Sequence, residues 1–258
     1  MAFTQNDSSS VLITGTTSGI GRGLMDFYVK KGIKVFAVNR RQDAALEALY
    51  PTVEFHKVDI QDAAAVKKLI ADLVDRKKVP SIFVLNAGIN KVDNDEFFSL
   101  DGFREVLNTN LFGALNFVAP LVALRHQLPE TKIVAISSVT NYAANPYCLG
   151  YYISKKALTQ SFKVFCEMYR KTNLKFKWVV LGPVLTPIVS SSDKFPKIMT
   201  QIKNWFSVSV DRTVKAIAKF AVSNRVSMIF PFRARILFRG IWLAQQLIPG
   251  FYRGRKRS

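Results

Sequence analysis

A chain of 258 residues, 49% of them hydrophobic and 21% charged, carries enough apolar mass for one sizeable core, which excludes a largely disordered protein. The formal net charge is +19 and no acidic residue follows Asp211, so the C-terminal end should attract anions. Two cysteines at no metal-ligand spacing, an N-terminus without a basic region leading into a long apolar stretch, and no unbroken apolar run of about 18 residues argue against a disulfide framework, secretion and a conventional transmembrane helix, and for a cytoplasmic protein.

The first apolar run, 11–14, leads into TGTTSGIG (14–21) and a helix-compatible stretch, 20–31. Gly15, Gly19 and Gly21 permit a tight turn and close backbone approach, and the helix N-terminus points free N–H groups and its positive dipole end at a pyrophosphate. The second run, 34–39, ends in Asn39, Arg40 and Arg41. A dinucleotide site selective for NAD offers a carboxylate here; that charge would repel a 2′-phosphate, whereas Asn39 can donate a hydrogen bond to it and Arg40 a charge-assisted one. The turn favours NADPH over NADH, the alternative being that Arg40 and Arg41 are simply solvated.

Further runs at 53–58, 81–86, 132–137, 175–181 and 226–231 bring the expected strands to seven, and apolar residues return every three or four positions in 63–75, 110–125, 150–169 and 211–223. This alternation predicts an α/β fold: a doubly wound, Rossmann-type parallel sheet of about seven strands with helices on both faces. We expect one domain over 1–231, with no internal repeat or low-complexity linker. Two segments exceed what its layers require: an insertion, 187–208, rich in apolar side chains such as Phe195, Ile198, Met199, Trp205 and Phe206, and a basic apolar tail, 232–258.

The stretch GYYISKKAL (150–158) holds two overlapping pairs, Tyr151 with Lys155 and Tyr152 with Lys156. Residues four apart share a helix face, but one step rotates a side chain by about 100°, so both pairs cannot serve one site.

From about residue 10 to 231 the ordered set of these motifs resembles the short-chain dehydrogenase/reductase family, in its NADPH-preferring carbonyl reductase form. The glycine turn matches in type and position; VDI (58–60), NAG (86–88), NTNLFG (108–113), AISS (135–138) and YISK (152–155) follow in family order. The resemblance implies NADP(H) as cofactor, held by Gly15, Thr17, Ser18, Gly19 and Ile20 of the turn, by Asn39 and Arg40, by Asp59 and Ile60 around the adenine, and by Asn86, Ala87 and Gly88. Gly182 and Thr186 match the nicotinamide-contacting segment, and Tyr151 and Lys155 complete the set. It also implies that Asn110, Ser138, Tyr151 and Lys155 are the catalytic residues, because Ser138 to Tyr151 and the pattern Tyr-x-x-Ser-Lys fit the family spacing; Tyr152 then packs or lines the substrate cleft. Two positions depart from the family: Leu85 stands for an asparagine and Leu181 for a proline, and neither change removes a proton-transfer group.

In the implied chemistry, Lys155 and the oxidised nicotinamide lower the tyrosine's ordinary pKa of about 10, Tyr151 acts as acid in reduction and base in oxidation, Ser138 polarises the carbonyl oxygen, and Asn110 helps to place a proton-relaying water. His56 and His126 fit no metal or nucleophile pattern, and no metal site is expected; Cys148 reads as a packing residue near the cleft. The insertion sits where family members carry a mobile lid, and its apolar side chains point to a hydrophobic, lipid-like ketone or aldehyde as substrate, unless they pack on the body or on another subunit. Family members often pair as dimers or tetramers through the helices matching 110–125 and 150–169.

If 233–248 is helical, its broad apolar arc and the basic residues beyond it suit a peripheral position on the cytosolic face of an anionic membrane, the alternatives being an arm on another subunit or beside the substrate entrance. A non-catalytic NADPH-binding regulator is the rival function. Specific nucleic-acid binding has only the net charge in its favour.

Overall fold

The computed structural model describes residues 10–91, 98–141, 148–186 and 207–247. Seven strands, β1 (Ser10–Thr14), β2 (Lys34–Asn39), β3 (Glu54–Lys57), β4 (Ile82–Leu85), β5 (Thr131–Ser138), β6 (Leu174–Leu181) and β7 (Ser227–Phe230), form one sheet in the order β3-β2-β1-β4-β5-β6-β7. Every neighbouring pair is parallel. The helices between them are α1 (Gly19–Lys30), α2 (Ala44–Leu49), α3 (Ala63–Asp75), α4 (Leu100–Leu107), α5 (Gly113–Ala123), α6 (Leu149–Met168) and α7 (Val210–Val222), and α8 (Phe232–Leu247) follows the last strand.

Strands covered on both faces must be apolar at consecutive positions. In β1, Val11 and Ile13 enter the core under α1 and α7, while Leu12 between them enters the core under α3, α5 and α6. All three are fully buried, so truncating any one to alanine should cost about 2–5 kcal/mol. The chain reverses direction across the sheet between β1 and β4, which opens a crevice at the C-terminal ends of these two strands, where ligands bind in open α/β sheets.

The expected doubly wound sheet of seven strands is present. Helices α2 and α4 were not expected, and the helix anticipated from residue 110 is longer. It runs without a break over Leu100–Ala123, where α4 and α5 are joined by one widened turn, Asn108–Phe112. By length and composition this helix could cross a membrane; half of its apolar window is buried inside the fold, with α4 against α6 and α5 against α3. Of the anticipated lid, 187–206 lies outside the described residues; Val208 is buried and bridges to Val184. The anticipated tail helix forms as α8.

Candidate active site

Four of the helices begin on a side-chain cap: Asp43 accepts from Leu46 N at 3.0 Å, Asp62 from Ala65 N at 2.9 Å, Ser99 from Gly102 N at 3.1 Å and Ser209 from Arg212 N at 3.4 Å. Such caps stabilise by about 1 kcal/mol each. Helix α1, over the crevice, is not capped in this way: its N-cap Ser18 makes no side-chain hydrogen bond to it, and its first turn holds no acid. An uncapped helix start with exposed Thr17 and Ser18 suits an anion.

The glycines of the turn and of the first turn of α1 are each required, by backbone conformation or by close packing. Gly15 and Gly19 have φ of 74° and 57°, and a β-carbon on Gly21 would lie 1.9 Å from the Gly15 carbonyl oxygen. Two asparagines hold it in shape. Asn86 donates from Nδ2 to the carbonyls of Thr14 (3.1 Å) and Gly15 (3.3 Å), while Thr14 Oγ1 accepts from the N–H groups of Asn86 and Ala87, both at 3.0 Å. Buried Asn39 accepts from Thr16 N at 2.8 Å and donates to Thr16 Oγ1 at 2.9 Å. Its amide thereby ties β2 to the glycine turn, beside the position expected for the cofactor's phosphate. Arg40 and Arg41 beside it are exposed, and neither makes an ion pair with a described residue.

The remaining positions expected to meet the cofactor follow the C-terminal ends of β3 and β6. Thr186 packs its methyl against Gly19, with 3.5 Å to the place a β-carbon would take. Asp59 accepts from Gln61 N at 3.0 Å, shaping the loop after β3, and the Ile60 carbonyl accepts from Asn116 Nδ2 at 2.8 Å. Asn116 was missed by sequence reasoning: an asparagine within a helix carries no signal until the fold sets it against that loop. Leu85 and Leu181, the departures from the family, are core residues. Gly182, after Leu181, is packed against Ala234 and Pro231 so closely that a β-carbon would lie 2.9 Å from Ala234 Cβ.

Ser138 ends β5, half-buried, and is hydrogen-bonded to Tyr151 on the first turn of α6. Burial pushes the Tyr151 phenol up to about 12, and the bond with Ser138 pulls it part of the way back. Lys155, one turn along, is 4% exposed and donates from Nζ to the Ile136 carbonyl at 2.9 Å; burial pushes it down to about 8. Its Nζ lies 5.7 Å from the Tyr151 ring centre, and a β-carbon on Gly88 would sit 3.4 Å from it and 3.0 Å from Asn110 Oδ1. Asn110 lies in the widened turn between α4 and α5, an irregularity common at functional sites. Its amide is fully engaged: Oδ1 accepts from Ile89 N at 2.7 Å, and Nδ2 donates to Ile89 O at 2.8 Å and to Ser154 Oγ at 3.1 Å. Its side chain therefore locks the loop after β4 to α6. Ser154 is the second residue that sequence reasoning left without a part.

The duplicated pair separates cleanly. Lys156 is exposed and donates to the Tyr152 hydroxyl at 3.0 Å, so Tyr152 and Lys156 form a surface contact away from Ser138. Cys148, buried beside Tyr151, has the Asn90 amide 3.5 Å from its sulfur. His56 stacks on Phe36 and lies 3.5 Å from Glu54, and no group of three metal-binding side chains occurs among the described residues.

A parallel sheet with a glycine turn at its switch point, facing a serine, a tyrosine and a buried lysine, defines a nucleotide-dependent oxidoreductase of the doubly wound class. Residues 9–197 match the short chain dehydrogenase family model, and the chain belongs to the short-chain dehydrogenase/reductase family. It is 30% identical over 190 residues to an NADPH-dependent 3-dehydrocapnine reductase of Ornithobacterium rhinotracheale, covering 69% of this chain and 66% of that one. To a 3beta-hydroxysteroid dehydrogenase of Mediterraneibacter gnavus it is 28% identical over 199 residues, covering 72% and 70%. Among solved structures, a short chain dehydrogenase from Burkholderia cenocepacia in complex with NADP superposes with a TM-score of 0.75 at 20% identity, covering 94% of this chain and 98% of that one. A 4-hydroxyisoleucine dehydrogenase complexed with NADH superposes with a TM-score of 0.71 at 21% identity, covering 86% and 96%.

Proposed function

We propose that this oxidoreductase is an NADPH-dependent reductase of a hydrophobic, lipid-like ketone or aldehyde, with the reverse alcohol oxidation open to it. The observation that carries the reading is the grouping of Ser138, Tyr151 and buried Lys155 at the crevice that the glycine turn lines. The turn fits a dinucleotide because its glycines have positive φ or close backbone packing and the helix behind it has no side-chain cap. Gly15, Thr17, Ser18, Gly19 and Ile20 would meet the pyrophosphate, Asp59 and Ile60 the adenine, Asn86, Ala87 and Gly88 the ribose side, and Gly182 and Thr186 the nicotinamide. Bound NADPH would supply a hydride to the carbonyl carbon.

The protein's part is to hold the carbonyl and protonate it. Ser138 donates a hydrogen bond to the carbonyl oxygen, and Tyr151, which keeps its proton at neutral pH, gives that proton to the same oxygen as negative charge develops there. Lys155 supplies positive charge beside the phenol below about pH 8. Exposed Arg40 selects the 2′-phosphate. Support for NADPH comes from that arginine and from the names of the 3-dehydrocapnine reductase and the NADP complex; the NADH-bound neighbour shows that the fold also accepts the other cofactor. The apolar insertion 187–208 and the steroid named for one relative support a hydrophobic substrate. We take the protein to work in the cytoplasm as a homo-oligomer, a dimer or tetramer.

Oxidation of NADPH across a panel of ketones and aldehydes graded in apolar size tests this reading. Turnover should appear with hydrophobic members and fall by about 10²–10⁴-fold in Tyr151→Phe, with NADPH binding retained. Cofactor binding without turnover on any carbonyl or alcohol would favour the non-catalytic regulator instead.

A further inference from the structure

Helix α8 turns an apolar stripe to solvent. Phe232, Ile236, Leu243 and Leu247 are 66%, 66%, 51% and 69% exposed. At about 100° per residue they fall within an arc of about 60°, along about 22 Å of helix. Arg239 borders the arc, about 20° beyond Phe232, and is exposed as well. The opposite side of the helix start is anchored: Ala234 is fully buried, packed with Val139 and Val180 and against Gly182. Helix α7, by contrast, presents Asp211, Lys215 and Lys219 to water, as an ordinary surface helix does.

We infer that the exposed stripe of α8 docks on an anionic lipid bilayer, its apolar side chains entering the headgroup boundary and its arginines meeting lipid phosphates. Soluble monomers seldom hold several large apolar side chains on one helix face in water, and here four do so on either side of Arg239. The charge around the row selects the partner: α8 contains no acidic residue, none follows Asp211, and Arg253, Arg255, Lys256 and Arg257 come after the helix in sequence. Docking two copies of the stripe about a two-fold axis would set Arg239 and its basic neighbours against their own kind with no carboxylate to offset them. A polyanion such as nucleic acid would leave the phenylalanine, isoleucine and leucines without a role. Because Ala234 packs on Val139, the residue after Ser138, docking would also bring the catalytic crevice close to the lipid surface. That consequence rests on the function proposed above, whereas the docking does not.

Sedimentation of the full-length protein with phosphatidylcholine vesicles, with and without about 30% phosphatidylserine, tests the inference. We expect binding to the anionic vesicles alone, weakened several-fold on going from about 0.1 M to about 0.5 M KCl. The double variant Ile236→Glu with Leu243→Glu should bind about 10–100-fold more weakly, while NADPH fluorescence on binding is unchanged. Arg239→Glu, a single surface change, should weaken binding in the same direction and covers the case in which the double variant does not fold. Absence of wild-type binding to anionic vesicles would overturn the docking, as would wild-type binding by both variants. So would light scattering that shows the stripe variants splitting a wild-type oligomer, since the stripe would then be a subunit contact. Vesicle binding without carbonyl reduction would leave the docking standing and remove the catalytic reading.

Discussion

Replacing Lys155 by methionine keeps the length of the side chain and removes a buried charge. Burial lowers this lysine to about 8, and the distance from an ordinary value near 10.5 corresponds to about 3 kcal/mol. The folded pKa lies below the unfolded one, so the contribution to stability is fully present above about pH 10.5, is lost as pH falls through about 8, and is level below that. Between about pH 6.5 and about pH 9.5 the wild type should therefore gain about 2 kcal/mol relative to Lys155→Met. Urea unfolding of both proteins at several pH values in this range measures it, since the difference cancels titrations they share, including that of Lys177, which burial also lowers to about 8. Carbonyl reduction should be lost in the variant at every pH. A stability difference that stays flat to within about 0.5 kcal/mol would show that Lys155 is not desolvated in solution, and the account of the site would fail with it.

Tyr152→Phe removes only an exposed bond to Lys156, so stability should change by less than about 0.5 kcal/mol and reduction should stay near wild type; a loss comparable to that in Tyr151→Phe would mean that the two pairs have been assigned the wrong way round. Arg40→Ser should raise the KM for NADPH by about 10–100-fold with little effect on NADH, since a charge-assisted contact is worth about 1.5–3 kcal/mol; equal losses with both cofactors would reject its phosphate role. Gly21→Ala places a carbon 1.9 Å from the Gly15 oxygen and should cost about 1–3 kcal/mol in thermal unfolding together with NADPH affinity, and a variant that binds NADPH normally would refute the close packing of the turn.

The strands were legible because burial on both faces leaves a mark that needs no partner information: Val11, Leu12 and Ile13 are apolar in succession whichever way they point. The glycine turn was legible for a related reason, since backbone approach can be read from the lack of side chains. Helix α2 was not, because six residues hold less than two turns and show no usable period; only its cap, Asp43, betrays it. Helix α4 was hidden by its continuity with α5, where the widened turn at Asn108–Phe112 shifts the apolar phase just where the sequence reading began a new helix. Polar residues with several possible partners were the hardest. For Asn39 and Asn110 the bonds to Thr16 and to the Ile89 backbone had no mark in the sequence, because nothing in a sequence says which neighbours an amide will meet.

The two titrating residues at the centre of the site share one cause. Burial favours the uncharged form of each, which raises the tyrosine to about 12 and lowers the lysine to about 8. Burial is the largest influence on the phenol of the protein alone, before the positive charge of an oxidised nicotinamide is added. This arrangement suits reduction: an acid that must deliver a proton near neutral pH has to keep it beforehand, and a dry site both secures that and strengthens the Ser138 hydrogen bond to an oxygen gaining charge. In the oxidative direction the same dryness opposes the phenolate, so the proposed reverse reaction would rely on alkaline pH or on positive charge brought into the crevice. The same dryness would link the proposed acid to the proposed substrate, because each hydrocarbon surface that closes the crevice removes more water from Tyr151.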